Sequence, residues 1–529
     1  MIVNMGRLLR ESARRFADNI ALVNVERDRR FTYRKLHELT NQICNMMRDR
    51  FNLRQGDIYG ILLENDNASL ISMWCLKGYP SALWLNIKDS LEEHLYQIDF
   101  VQPKLIFIES TLLAEYHAPL TARGITIICM DQLEQPLENV HDFWQLIEDS
   151  SPAEVEAEVN FNDTKEHVAA YKFTGGTTGK GKCVLESISN LFLSAICYCA
   201  HPENHFSQQT KFLLSTPVTH ASGPVVLPVY MKGGATLTLN RVDLELLCQT
   251  VEREQATMIY AVPTVLYRLL DKGLEKKYNL SSLDTIRYGA APISPAKLES
   301  LMAIFGPVFV QGYGATEAYT PITLLGKSEH SITTEKDRVR LTSVGRPVPG
   351  AEVRIVGEKG EELPPGVQGE IWIRGTGVVD GYFKDPEQTL ENFTTNGFFK
   401  SGDLGYIDEE GYLYLKDRKK DMIISGGFNV YATEVENVVN SHPKVRECVV
   451  VGIPHEEWGE AVHAEVILAE QEEQLSVEEL IGYCKTRLSG YKVPKSILFV
   501  TELPLSPAGK VLKRKVREKY WLGKDRRIY

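Results

Sequence analysis

The 529-residue sequence predicts an α/β fold: a large N-terminal domain of doubly wound sheets plus a small β-barrel lobe, and a smaller α+β C-terminal domain. Three observations carry this. As far as Tyr313, short apolar and β-branched runs alternate with helical periodicity, the pattern of a mostly parallel sheet covered on both faces. From about Ser343 the texture changes to short strands, turns and glycine, such as Gly369-Glu370-Ile371-Trp372-Ile373-Arg374-Gly375. The charged run Lys416-Asp417-Arg418-Lys419-Lys420-Asp421 then reads as an interdomain linker, and a unit of small-domain size follows it. The domains expected are residues 1–418 and 419–529.

Taken in order, Phe31-Thr32-Tyr33 closes a first hairpin, and a helix follows with Leu36, Leu39, Ile43 and Met47 on one face. Ile58-Tyr59-Gly60-Ile61-Leu62-Leu63 is a buried strand, and residues 67–78 are the next helix. Lys104-Leu105-Ile106-Phe107-Ile108 and Thr126-Ile127-Ile128-Cys129 are further strands, and His167-Val168-Ala169-Ala170-Tyr171 is a strand that feeds a glycine-rich loop. A second βα series follows, with strands at 211–217, 235–239, 257–263, 285–288 and 308–310. In such sheets, ligands bind in crevices at the carboxyl ends of the strands. The basic tail, Lys513, Arg514, Lys515, Arg517 and Lys519, reads as a solvated helix face.

A net charge of −11 argues against a nucleic-acid partner, which would need clustered basic residues. No apolar run reaches the length of a membrane span, and the N-terminus has no signal-peptide core. Nine cysteines without a CxxC pair fit a reducing, cytoplasmic setting without disulfides or structural zinc.

The stretch Phe173-Thr174-Gly175-Gly176-Thr177-Thr178-Gly179-Lys180-Gly181-Lys182 concentrates hydroxyls, glycines and lysines. Backbone N–H groups and threonine hydroxyls can donate to phosphate oxygens there, and lysine adds charge. Gly176, Gly181 and Lys182 fit the Walker spacing, but Cys183 stands where a Ser or Thr would hold Mg²⁺. A thiol is a poor ligand for that hard cation. The loop is therefore a phosphate-binding candidate of another kind.

Further motifs follow it in order: 217–223 with His220; Gly289-Ala290-Ala291-Pro292; Tyr313-Gly314-Ala315-Thr316-Glu317; Ser401-Gly402-Asp403; Arg418-Lys419-Lys420-Asp421; Ser425-Gly426-Gly427; and Leu503 to Lys510. With the loop, this series resembles the adenylate-forming superfamily of acyl-CoA synthetases, adenylation domains and firefly luciferase, most closely an acyl-CoA ligase. The sequence departs from the family loop at Gly175, Gly181 and Cys183, and the added glycines should loosen it.

The resemblance implies an ATP-dependent carboxylic acid–CoA ligase that works through an acyl-adenylate, with ATP, Mg²⁺ and coenzyme A as cofactors. Thr174, Gly176, Thr177, Thr178, Gly179 and Lys182 would hold the departing phosphates. Gly289, Ala290, Ala291 and Pro292, with Tyr313 and Gly314, would receive adenine; Asp403 and Arg418 would hold the ribose. Glu317 would bind Mg²⁺, Thr316 the α-phosphate, and Lys510 would bridge the substrate carboxylate and that phosphate. The C-terminal domain would rotate about Lys420 and present Gly426 and Gly427 to a pantetheine arm. His220 would either line the tunnel for that arm or be a satisfied core histidine.

Ala221 follows His220 where amino-acid-activating relatives carry an aspartate, so the expected acid, aryl or small-to-medium acyl, has no α-amine. Ala221, Tyr288, Ala315, Ala318 and Tyr319 are the expected pocket neighbours. The thiol is coenzyme A or, alternatively, the phosphopantetheine of a carrier protein, and a monomer or homodimer is expected.

Overall fold

The computed structural model describes residues 1–529 except 72–76, 78–79, 134, 165–166, 175–180, 320, 470–474, 507–508 and 523–529. Two large sheets form the body. The first has seven strands in the order Cys183–Ser187, Val168–Phe173, Ser81–Trp84, Ile58–Leu62, Leu105–Ile108, Thr126–Cys129 and Val140–Asp142. Only its first pair is antiparallel. Every residue of Ile58–Leu62 is buried, as a strand covered by helices on both faces requires.

The second sheet has nine strands, with Lys211–Leu214 between Ala235–Thr238 and Met258–Ala261. Strand order reverses there, so a crevice opens at the carboxyl end of Lys211–Leu214, where 217–223 begins. On the Met258–Ala261 side follow Thr285–Gly289 and Phe309–Tyr313, both parallel, whose carboxyl ends carry the other nucleotide motifs.

The small lobe expected after Ser343 is built on a four-stranded antiparallel sheet, Ala351–Val356, Gly369–Gly375, Phe399–Ile407 and Leu413–Arg418. Its core residues Ile371, Ile373, Phe399 and Leu413 pack with Tyr313, Ala318 and Ile322 of the large body. That packing carries Asp403 to Tyr313. A last sheet takes its strands from the C-terminal part, Ile423–Ser425, Phe428–Val430, Val445–His455, Gly459–Leu468 and Ser496–Phe499. Gly426 and Gly427, at φ 57° and 82°, make the two-residue turn of its first hairpin. Such turns need positive φ at both positions, which glycine adopts without strain.

Three local expectations differ from the structure. The helix expected over 67–78 runs Asn65–Ile71 among the described residues. Lys416, Asp417 and Arg418 complete the strand Leu413–Arg418, so only the latter half of the charged run is a turn. At a sheet edge, charged side chains alternate toward solvent without cost. The basic tail is a solvated face only in part: in the helix Lys513–Trp521, Lys515 is exposed, while Lys513 pairs with Glu436 at 2.9 Å and Arg517 with Asp421 at 3.2 Å. Lys519 pairs with Glu465 at 3.1 Å, around the fully buried Val516.

Candidate active site

Of the glycine-rich loop, Thr174, Gly181 and Lys182 are described; Gly175, Gly176, Thr177, Thr178 and Gly179 lie outside the described residues. The loop is the connection between antiparallel strands, closed by the Thr174 N–H donating to the Lys182 carbonyl at 2.9 Å. A Cβ on Gly181 would sit 2.2 Å from the Thr174 carbonyl oxygen. Glycine is thus required at 181 by close approach of the two loop ends, not merely tolerated as a loosened proline site. Cys183 is buried in the adjoining strand, where desolvation pushes its thiol up to about 12. That thiol is a core group and no metal ligand.

Glu317 follows the strand Phe309–Tyr313 and accepts at Oε1 from the Tyr382 hydroxyl at 3.0 Å. The same Tyr382 ring lies 4.7 Å from Lys182 Nζ, a cation–π contact. One aromatic side chain therefore joins the phosphate-loop lysine to the expected metal-binding carboxylate. Thr316, beside Glu317, is exposed. Tyr382, an isolated antiparallel bridge partner of Val184, has no sequence periodicity to mark it as a site residue.

Gly289 and Gly312 are register partners at the ends of parallel strands. Ala290, next in the chain, has φ 66°, an uncommon left-handed conformation for a residue with a Cβ. Ala290 and Ala291 are half-buried and Pro292 is exposed, which leaves a flat apolar turn suited to a base. Asp403 stands nearby with both oxygens held. Oδ2 accepts from the Tyr313 hydroxyl at 2.7 Å, and Oδ1 pairs with Arg418 Nε at 3.2 Å. Asp403 and Arg418 face one another across adjacent strands, so backbone register alone sets this pair.

Lys510 reaches the same cleft from the far end of the chain. Its turn is closed by the Ser506 N–H donating to the Lys510 carbonyl at 2.7 Å, and Thr264 Oγ1 donates to the Gly509 carbonyl at 2.9 Å. Enclosure, and then the charge of Arg418, bring the Lys510 amine down to about 8, against the pull of Asp403. His220 is half-buried, with Nδ1 at 2.8 Å from Thr219 Oγ1. Burial, and then the charges of Lys510, Lys172 and Lys88, lower it to about 4, so its ring is neutral near pH 7. It faces the cleft cations.

Of the expected acid-pocket residues, Ala221 lies against Tyr198, Phe206 and Tyr260, while Ala315 and Tyr319 are half-buried. Tyr288 and Ala318 are not part of the cleft wall. Tyr288 is fully buried, its hydroxyl donating to Gln311 Oε1 at 3.2 Å and meeting His330 Nε2 at 2.9 Å. Ala318 is sealed in the core beneath the small lobe. Successive strand residues face opposite sides of a sheet, so it is Arg287 and Gly289, flanking Tyr288, that share the cleft side. A second charged group missed from sequence is Lys172, paired with Glu186 at 2.8 Å, with its Nζ 5.2 Å from the Tyr319 ring. Arg287 and Lys172 do have a sequence signal, a lone charge inside an apolar strand.

Gly426 and Gly427 are not brought to this cluster. They are exposed, and the Gly426 N–H donates to the Trp458 carbonyl at 2.9 Å. Lys420 lies in the turn after the strand Leu413–Arg418. Among the described residues, Glu64, Asp66 and Glu109 form a carboxylate cluster, but Arg27 lies within it, 2.9 Å from Glu109 and paired to Asp66.

A model of the AMP-binding enzyme family matches residues 9–383, and one of the AMP-binding enzyme C-terminal domain matches residues 434–510. The medium/long-chain-fatty-acid–CoA ligase of Mycobacterium tuberculosis is 38% identical over 372 residues, 69% of this chain and 63% of that protein, so that match spans less than two thirds of the relative. The 2-succinylbenzoate–CoA ligase of Bacillus licheniformis is 31% identical over 519 residues, 98% of this chain and 100% of the ligase. Among solved structures, the o-succinylbenzoate CoA synthetase of Bacillus subtilis in complex with its acyl-adenylate intermediate aligns with a TM-score of 0.81 and 28% identity, over 98% of both chains.

Proposed function

The chain belongs to the AMP-binding enzyme family, and from that premise we propose that it is an ATP-dependent carboxylic acid–CoA ligase working through an acyl-adenylate. The observation that supports the reading is that the turn bearing Lys510 is tied to the body by Thr264 Oγ1 donating to the Gly509 carbonyl at 2.9 Å, which sets its amine in the field of the Asp403–Arg418 pair.

The chemistry follows from the groups in that cleft. A carboxylate oxygen of the substrate attacks the α-phosphorus of ATP; the bond to the bridging oxygen breaks and pyrophosphate leaves. Two anions must approach, so the work is positioning and charge compensation. The protonated Lys510 amine would lie between the carboxylate and the α-phosphate. Asp403, its oxygens already oriented by Tyr313 and Arg418, would use its remaining lone pairs for the ribose hydroxyls. Thr174 and Lys182 would hold the departing phosphates, with Tyr382 fixing Lys182 against Glu317. Glu317 keeps one carboxylate oxygen clear of the Tyr382 contact, the hard oxygen donor that Mg²⁺ prefers. Bound there, Mg²⁺ would supply charge neutralisation on the phosphate oxygens.

In the second half-reaction the coenzyme A sulfur attacks the adenylate carbonyl carbon, a thioester forms and AMP leaves. Neutral His220, on the cleft wall, would line the path of that thiol. The division into residues 1–418 and 419–529, with rotation about Lys420 to bring Gly426 and Gly427 to the pantetheine, belongs to this reading. So do a cytoplasmic setting and a monomeric or homodimeric state; no helix among the described residues is long and apolar enough to cross a membrane. The acid is aryl or small-to-medium acyl without an α-amine. Ala221 offers an ammonium no counter-charge, and Arg287, over the Tyr198 and Phe206 rings of the cluster Ala221 packs on, would repel one.

The test separates the half-reactions. Lys510→Ala should lower acid-dependent pyrophosphate release by about a hundredfold or more, on the scale of losing an electrostatic group made for the transition state. It should largely spare thioester formation from supplied acyl-adenylate. Equal loss of both halves would remove Lys510 from its assigned role. Product that forms only on a carrier protein, and not on coenzyme A, would redirect the acceptor.

A further inference from the structure

The strand Thr285–Gly289 places Arg287 on the cleft side of its sheet, two residues before Gly289. At the rise of a strand this puts it about 7 Å deeper than the nucleotide turn. The residue is only 4% exposed. Its guanidinium carbon lies 5.2 Å from the centroids of both the Tyr198 and Phe206 rings, and one terminal nitrogen donates to Asn204 Oδ1. The Asn204 amide is itself pinned, donating through Nδ2 to the Tyr198 carbonyl at 3.0 Å. The Arg287 Nε–H has no hydrogen-bond partner, and no carboxylate among the described residues pairs with the group.

A guanidinium keeps its proton in proteins, so Arg287 is a buried positive charge without a counter-ion. Two ring faces, one amide oxygen and a hydrogen bond with the Tyr198 side chain compensate part of the lost hydration and leave the Nε–H unmet. The other enclosed cation of this wall, Lys172, has its carboxylate in Glu186. The rings around Arg287 belong to the same cluster as Ala221 and Val218, whose half-buried side chains lead out to His220. A substrate chain directed inward past His220 would meet these apolar and aromatic side chains and, beyond them, a cation without a counter-ion.

We propose, resting on the ligase reading above, that Arg287 pairs with a second carboxylate of the acid substrate. The enzyme then activates dicarboxylic acids, at the carboxyl group remote from Arg287. The second carboxylate supplies the missing counter-charge and accepts from the Nε–H. The aromatic cluster holds the carbon skeleton between the two acid groups.

The experiment compares pyrophosphate release for acids matched in length, hexanoate against hexanedioate through decanoate against decanedioate, and 3-phenylpropanoate against its ring-carboxylated analogue. In the wild-type protein, kcat/KM should favour the diacid by at least about tenfold in the best pair. In Arg287→Met that ratio should fall by at least about thirtyfold, the scale of unpairing a buried charge. Arg287→Lys, which keeps the charge, should fall between the two. If Arg287→Met does not fold, the wild-type protein still decides, since the preferred diacid should raise Tm and the monoacid of equal length should not. Equal turnover and equal thermal shifts for the paired acids, or a ratio unchanged in a folded Arg287→Met, would overturn the proposal. No pyrophosphate release with any acid would instead count against the ligase reading, and the thermal shifts would still judge the pairing.

Discussion

Lys510 and His220 lie in each other's field, and the consequence is a pH dependence with a definite sign. The Lys510 amine is lowered from 10.5 to about 8, so in the free enzyme its charge is lost as pH rises through about 8. The protonated form is the one that would compensate two approaching anions in the proposed reaction. Log kcat/KM for pyrophosphate release should therefore fall with an alkaline limb near pH 8, since that parameter reports free-enzyme pKa values. Lys510→Arg should be slower but lack the limb, because a guanidinium does not titrate there. His220, at about 4, is neutral across the working range and should add no limb between pH 5 and 8. A limb that persists in Lys510→Arg would assign the titration elsewhere. Folding stability carries the opposite sign. The folded state binds fewer protons than the unfolded chain between about 8 and 10.5, so docking Lys510 becomes more favourable over the window in which the chemistry weakens. At this scale the motifs single out Lys510, Asp403 and Glu317 as candidates, and the contacts around them, Asp403 with Tyr313 and Arg418 and Glu317 with Tyr382, came only from the structure. The sequence was not legible where strand parity decides, because Tyr288 and Arg287 look equally available until the sheet assigns their faces.

The glycine-rich loop shows what could be read of an element. Its place after the strand that feeds it, and its failure as a Walker loop at Cys183, were both visible in sequence, but the strand Cys183–Ser187 that follows it was not. The reason for Gly181 was not, because it is a distance between residues that are neighbours only once Thr174 and Lys182 have paired. Gly181→Ala should force the loop ends apart, at a cost of about 1–3 kcal/mol by the usual scale of overpacking. The pair that opens is the Thr174–Lys182 hydrogen bond, at the root of the phosphate site. We expect KM for ATP in pyrophosphate exchange to rise by about tenfold or more, with KM for the acid changing far less because the acid pocket lies on another sheet. Matching changes in both KM values would mean that the substitution disturbs the whole cleft rather than the loop. The strand Leu413–Arg418 teaches the same lesson from the other side. Its charges suggested a linker, yet edge position lets a strand end in Lys416, Asp417 and Arg418, and the register opposite Asp403 puts that last charge to use.

Among the described residues, polar contacts join the N-terminal body to the C-terminal part at several points, Gln368 Nε2 with the Tyr431 hydroxyl at 2.5 Å among them. Thr264 donates to the Gly509 carbonyl at 2.9 Å, Lys297 to the Val445 carbonyl at 2.8 Å, and Arg446 lies 3.4 Å from Asp271. In this arrangement Lys510 lies in the field of Arg418 and Asp403 while Gly426 and Gly427 remain exposed, so the proposed second half-reaction requires the interface to open. A molecule fixed there could make adenylate but could not present the glycine hairpin to a thiol. Lys420 is flanked by tied backbone, with the Lys419 N–H donating to the Gly402 carbonyl at 3.0 Å and the Asp421 N–H to the Arg418 carbonyl at 2.9 Å, so the proposed rotation would concentrate between these ties. Lys420→Pro fixes φ at the hinge and restricts Lys419 as well. Pyrophosphate exchange should stay within about threefold of the wild type, while thioester formation from supplied acyl-adenylate should fall by about a hundredfold, as expected when a gating motion rather than a reacting group is lost. Measured side by side, this is the mirror image of Lys510→Ala. Thioester formation that survives in a folded Lys420→Pro would mean that the thiol reaches the adenylate without any turn about residue 420, and Gly426 and Gly427 would lose their part in the reaction.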